Sequence, residues 1–298
     1  MAERKGRRTR AAVFIAVAAV VAVSVIITLT TGWSCIYRLV GLESKPDDEN
    51  SLTASFFSVG CADCCIISSG GSHILIDAGD NSAKNRAVHY IRQNGIDRID
   101  LAVITHFDSD HSNNFLNILN EVSVDTLVTS YAFKNSEDGA DVVKAARQSG
   151  AAVEYKKAGD KLEVGDIDIT VLSPSEIYSA ENDNSLVLKL EALGRTMLFT
   201  ADIGEKAEQD ILQSSGDLKC DILKVSHHGS GKNTGEEFLS RVQPRFAVVS
   251  VGVNNYALPS VQTLSRLEAV GAAVLRTDKS GTVSFKITEE EIKVNTEY

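Results

Sequence analysis

"LAVITHFDSDHSNNF", residues 101–115, runs from four apolar residues through Thr105 straight into His106, Asp108, Asp110 and His111. The apolar part reads as a strand buried on both faces. A turn and a cap suffice to join a strand to a helix, so two histidines and two aspartates within six residues need another reason. In an extended segment alternate side chains point the same way, so His106, Asp108 and Asp110 can converge while His111 enters at the start of a helix. Imidazole and carboxylate are the ligands that divalent metals take outside thiolate sites. A plain hydrophilic loop is the simpler alternative. A calcium loop beginning at Asp108 does not fit, because its sixth position is Asn113 instead of Gly and its twelfth is Leu119 instead of Glu.

Half a site needs its other half, and two more apolar runs end in the same chemistry. "MLFTAD" ends in Asp202, and "DILKVSHHGS" leads to His227 and His228. An aspartate after a strand is most often only a turn or cap residue. Three strand ends bearing metal-ligand side chains are harder to explain as turns.

Around these segments the chain alternates strands with helices. Strands are predicted at 51–59, 65–69, 73–79, 99–105, 124–131, 152–156 and 166–172, then in a hairpin across Gly194, then at 221–226, 245–251, 273–276, 282–287 and 291–295. Helices are predicted from a Ser82 cap to Gly95 and over 138–149, 204–214, 234–241 and 260–270. So many strands with interleaved helices suggest two sheets covered by helices.

In order along the chain, "LIDAGD", "THFDSDH", "NDNSLVL", "LFTADI", "LKVSHHGS" and "RTDKSGTV" resemble the motifs of the metallo-β-lactamase superfamily. More narrowly, they are similar to the extracellular hydrolase domain of ComEC-type competence proteins, over nearly all of residues 52–298. The resemblance implies an α/β fold, a four-layer αβ/βα sandwich with two divalent metal ions at the mouth between its sheets. It implies that His106 and Asp108 hold one metal and Asp110 and His111 the second, with Asp110 and His111 as the catalytic residues, Asp202 bridging, and His227 as the last histidine ahead of His228. Asp77 matches an aspartate that orients the ligand loop. Asp63, Asn182, Asn184, Ser230, Asn254 and Tyr256 complete the candidates around the site. The reaction implied is metal-assisted hydrolysis of a phosphodiester, plausibly in DNA, with no nucleophilic side chain.

The sequence also departs from that pattern. Asp108 stands where the superfamily usually has histidine, and "ENDN" offers Asn182, Asp183 and Asn184 where another histidine is usual. These harder oxygen ligands predict that Mn²⁺ or Mg²⁺ serves at least as well as Zn²⁺. "VGCADCC" and "NNYALPS" also differ from the relatives' loops, which leaves open other ester, lactone or lactam substrates and a non-catalytic metal-binding module.

The N-terminal part differs in kind. Residues 1–10 hold five Lys and Arg, and residues 11–30, "AAVFIAVAAVVAVSVIITLT", hold no charge. As a helix these twenty would span roughly 30 Å, the thickness of a bilayer core. The basic flank predicts a cytoplasmic tail at 1–10, a transmembrane anchor at 11–30, a linker at 31–51 and an extracellular domain at 52–298 of a single-pass membrane protein. A cleaved signal peptide is the rival, disfavoured by the length of the run and the bulk of Trp33.

The formal charge of the whole chain is −10, and residues 1–40 hold six Lys and Arg against one Glu, so the remainder carries −15. Such acidity argues against an unaided grip on nucleic acid. If single-stranded or duplex DNA is bound, Lys224, Lys232 or Lys279, or a basic membrane partner, would have to supply positive field. Five cysteines show no disulfide framework; small core residues are the plain reading, with a reactive or paired Cys61 as the alternative.

Overall fold

A computed structural model describes residues 50–81 and 84–298. The basic tail, the expected membrane helix and all but the end of the linker lie outside these residues, as does Ser82. Among the described residues no helix is long and apolar enough to cross a membrane. Residues of 50–91 and 96–298 form one unit, to which everything below refers.

The first eight strands to be considered form one sheet: β1 (Leu52–Phe56), β2 (Cys64–Ser69), β3 (Ser72–Ala78), β4 (Arg98–Ile104), β5 (Ser123–Ser130) and β6 (Ala152–Lys156), joined on the far side of β1 by β14 (Val283–Ile287) and β15 (Ile292–Thr296). The other sheet holds β7 (Lys161–Val164), β8 (Ile167–Ser173), β9 (Val187–Ala192), β10 (Arg195–Phe199), β11 (Ile222–Lys224), β12 (Phe246–Val249) and β13 (Ala273–Arg276). Both sheets are mixed. β3, β4, β5 and β6 run parallel to one another, as do β10, β11, β12 and β13, and the remaining pairs are antiparallel.

Alternating side chains of each strand fill three apolar layers. Phe56, Ile74, Ile76, Val103, Met197, Phe199, Ile222 and Val248 pack between the sheets. Leu75, Ala102 and Ile104 face outward under Ile91, Phe115, Ile118 and Ala146 of the helices Lys84–Gln93, Phe115–Leu119 and Ala140–Gln148. Leu198, Leu223 and Val249 face the other way, under Ile211, Phe238 and Leu267 of the helices Glu205–Ser214, Glu236–Val242 and Val261–Ala269. The layers therefore run helix, sheet, sheet, helix. β7 escaped the sequence reading because it has four residues, of which only Val164 is buried.

Parallel strands present their carboxyl ends on one rim, where open α/β sheets place ligands. Asp77 closes β3, His106 follows β4, Asp202 follows β10, and His227 and His228 follow β11. The fold thus brings the three polar strand ends to one mouth.

Candidate metal centre

Each buried histidine of the mouth is anchored through Nδ1. His111 Nδ1 lies 2.8 Å from Asp77 Oδ2, and a carboxylate can only accept, so Nδ1 donates. Thr105 donates its hydroxyl to Asp77 Oδ2 at 2.9 Å and meets His106 Nδ1 at 3.1 Å, which casts that nitrogen as donor too. His228 Nδ1 donates to the Ser250 carbonyl at 2.8 Å. Nε2 of His106 and of His111 is left without a hydrogen bond and Nε2 of His228 faces a carboxylate, and anchoring through Nδ1 is how protein groups around a metal orient an imidazole. Asp77, with φ +53 near the end of β3, serves His111 and Thr105 at once through its two carboxylate oxygens, and its Oδ1 also takes the Thr105 amide at 2.8 Å.

The free ends converge. Asp110, His111, Asp202 and His228 each offer a ligand atom within 4.8 Å of the others. His111 Nε2 faces Asp202 Oδ1 at 3.3 Å, and His228 Nε2 faces Asp110 Oδ2 at 3.0 Å. His106 Nε2, His111 Nε2 and Asp202 Oδ1 are buried with no hydrogen bond. Buried polar atoms in that state cost free energy unless something fills the space between them, and the donor set suits a divalent cation. Asp108, partly exposed, stands with its carboxylate 3.6 Å from His106 Nε2.

The charges agree with this reading. Burial would lower the His111 pKa, but the carboxylates of Asp202 and Asp77 hold it well above the ordinary value. Burial would raise Asp110, yet the His228 hydrogen bond and His111 pull it down to about 2. Asp202 is likewise held low against its burial by His111 and His228. The pocket is an ion cluster in want of positive charge.

The two adjacent histidines take different places. His228 is buried and belongs to the cluster, whereas the His227 side chain is 39% exposed, with Nε2 3.8 Å from Asp202 Oδ2. Both have positive φ in the turn after β11. Thr105 and Ser250 were not singled out in the sequence, since a threonine in a strand end and a backbone carbonyl carry no signal of their own.

Lys224 differs from expectation. It is not a solvent-facing charge near the substrate: it is 4% exposed, its ammonium pairs with Asp63 Oδ2, and it turns inward from the end of β11. Asp63 Oδ2 is also 3.7 Å from His111 Nδ1, and Asp63 Oδ1 is 3.9 Å from His228 Nδ1. Asp63, Asp77 and His111 would by themselves suit a cation, and Lys224 already supplies that charge.

Other candidates fall outside the cluster. Asn184 is tied to Tyr178 through its amide and Tyr178's backbone, and Asn254 pins its own loop through Gly252, Tyr256 and Leu258. Tyr256 is exposed on that loop. Asn182 and Ser230 line a cleft of about 980 Å³ that opens from Asp202 and His227. Six further carboxylates line it, those of Glu181, Asp183, Glu205, Glu208, Glu236 and Glu237, against Lys232 and Arg266. The Cys61 thiol, raised to about 11 by burial and then by Asp110, stays protonated at neutral pH, and the described cysteines are all free.

Two facing mixed sheets with imidazoles and carboxylates at their common mouth define the class: the chain belongs to the metallo-beta-lactamase superfamily, whose model matches residues 62–253. Within it, the chain is 36% identical over 201 residues to ComE operon protein 3 of Bacillus subtilis (strain 168), covering 67% of this chain and 26% of that protein. It is 28% identical over 255 residues to competence protein ComA of Neisseria gonorrhoeae, covering 84% and 34%. The chain thus spans about a quarter to a third of the length of these relatives. In fold it is similar to the crystal structure of YhfI from Bacillus subtilis, with a TM-score of 0.53, 11% identity, and coverage of 78% of this chain and 99% of that one.

Proposed function

We propose that this chain is a membrane-anchored extracellular hydrolase that uses two divalent metal ions to cut phosphodiesters, DNA among them. The observation that carries the reading is the cluster in which His111 and His228, both anchored through Nδ1, turn Nε2 toward Asp202 and Asp110, with the anchored His106 beside Asp108 at the same rim. His106 and Asp108 would hold one ion, Asp110, His111 and His228 the other, with Asp202 between. Bound there, divalent ions supply Lewis acidity toward a phosphoryl oxygen and acidify a water. The chain's own part is to aim the imidazoles, through Asp77, Thr105 and the Ser250 carbonyl, and to hold carboxylates ionised where positive charge must sit. Similarity to a competence protein of Neisseria gonorrhoeae favours DNA over the smaller alternatives, and the uncharged run at 11–30 with its basic flank supports the anchor.

The acidic cleft beside Asp202 favours a second reading, hydrolysis of a small ester that carries little negative charge. The test is turnover by the full chain in detergent, stripped with chelator and reloaded with Mn²⁺ or Zn²⁺, on bis(p-nitrophenyl) phosphate, single-stranded DNA and a neutral ester. Chelator-reversible cleavage of the phosphodiesters is expected. Turnover of the neutral ester alone would move the assignment to the second reading.

A further inference from the structure

Past the metal loop, cations gather along the rim of the first sheet, with Glu137 and Asp141 exposed beside them. β4, β5 and β6 are parallel and in register, with Ile104 opposite Thr129 and Thr129 opposite Tyr155. Two residues beyond that row stand His106, Tyr131 and Lys157. At about 4.8 Å between strands, the row reaches about 10 Å from the metal loop along the rim. Tyr131 is 46% exposed, and the Lys157 ammonium lies 5.8 Å from its ring centroid.

Phe133, two residues after Tyr131, lines a cleft of about 390 Å³, walled also by Lys134, Lys144, Arg147 and Tyr155, and holding one acidic residue, Asp138. Asp138 is engaged by the Ser136 hydroxyl. Lys134, Lys144 and Arg147 are exposed and make no ion pair among the described residues. Three unpaired cations converging on one cleft are out of character for a domain of net charge −15. The cleft is also coupled to the metal loop: Phe107, between His106 and Asp108, packs edge-on against Phe133 at 5.4 Å, and Gly139 lies so close to the Phe107 ring that a Cβ would overlap it.

We infer that this rim is the binding track for a single-stranded nucleic acid, with phosphates over Lys134, Lys144 and Arg147 and a base stacked on Tyr131. The inference rests on the phosphodiesterase reading and gives it a direction. The chain approaches over β5 and β6 and ends near the metals, because the acidic wall beyond Asp202 repels a continuing polyanion. Cations with an exposed aromatic ring are the general means of holding single strands without reading sequence. A base-free phosphate polymer would use the cations and leave Tyr131 idle, and duplex DNA would keep its bases out of reach of the ring.

The test uses the full chain in detergent and fluorescence anisotropy with a labelled thymidylate oligonucleotide, alongside an abasic oligonucleotide of the same length. Three phosphates neutralised on a single strand give a log–log salt slope of about −2, or about a 20-fold loss of affinity between 50 and 200 mM salt. Alanine at each of Lys134, Lys144 and Arg147 should lower that slope by about 0.7, and the triple variant should abolish it. Turnover of bis(p-nitrophenyl) phosphate should be unchanged in all of them. Tyr131→Ala should weaken the thymidylate strand about tenfold, in the range of one lost stack, and leave the abasic strand unaffected. Variants that keep wild-type affinity and slope would overturn the track, and equal binding of abasic and thymidylate strands would overturn the nucleic-acid occupant. Absent turnover of bis(p-nitrophenyl) phosphate under every metal would instead refute the hydrolase reading, since binding is read without cleavage.

Discussion

Lys224→Met tests the electrostatics beneath the mouth. Lys224 is 4% exposed and its partner Asp63 5%. Burial alone would pull the lysine's pKa down, but Asp63 and Asp202 more than offset this and raise it. Methionine matches the length and removes the charge, which strands Asp63 in the interior beside His111 and His228. Breaking a buried pair from one side costs about 3–5 kcal/mol, most of it the uncompensated charge left behind. For a domain of this size each kcal/mol moves the melting temperature by roughly 2–4 °C, so a fall of about 6–20 °C is expected. Adding Asp63→Asn should restore more than half of it, because the pair then leaves together. The lysine's raised pKa also fixes the pH dependence: its contribution is complete below its unfolded value of about 10.4 and fades only as pH climbs through the folded value. The deficit of Lys224→Met should therefore be flat from pH 6 to 9. Metal-free thermal and urea melts of wild type, single and double variants measure this. A single variant within about 1 kcal/mol of wild type would show that the two charges do not depend on each other.

Three further outcomes follow from the site. His228→Ala should strip bound metal on dialysis, whereas His227→Ala should retain it and change kcat/KM, as elemental analysis beside a kinetic assay will show; the reverse pattern would exchange their roles. Glu208, pushed up to about 7 by burial, takes the amides of Thr234 and Gly235. Its proton is held in the fold after the unfolded chain has lost it, so wild-type stability should fall between about pH 4.5 and 7, by about 3 kcal/mol in all. Glu208→Gln should flatten that fall, starting about 1 kcal/mol below wild type at pH 4.5 for one lost hydrogen bond and ending about 2 kcal/mol above it near pH 7; a parallel profile would remove the assignment. Mn²⁺ should support turnover at least as well as Zn²⁺, given Asp108, Asp110 and Asp202 in the donor set; activity in Zn²⁺ with none in Mn²⁺ would contradict that ranking.

The fold was legible where burial imposes a pattern. "LAVI" and "MLF" are apolar on both faces because the sheets are covered twice, and their polar exits mark the rim. β7 was not legible, since "KLEV" at a sheet edge has no need of apolar residues. Within the site, residue types announced the chemistry and geometry assigned the places. The sequence cannot tell which of two adjacent histidines turns inward when both take positive φ. Asn184 and Asn254 looked like site residues because asparagine suits both a ligand shell and a self-bonded loop. A lysine inside an otherwise apolar strand was the signal overlooked at Lys224: a cation there needs a buried partner, and only the folded structure identifies it as Asp63.

β1 hydrogen-bonds to β2 on one side and to β14 on the other, Leu52 pairing with Ile287. During synthesis β1, the first of the described strands to emerge, therefore waits with one bare edge until Val283–Ile287 has been made. Through that interval "LTASF" offers an open ladder to any extended segment nearby, a hazard that grows with translation time. A chain stopped before residue 283 would retain every candidate metal ligand and still be unable to complete the sheet that carries most of them. Ribosome stalling or a late nonsense codon should thus yield aggregate instead of a weak enzyme.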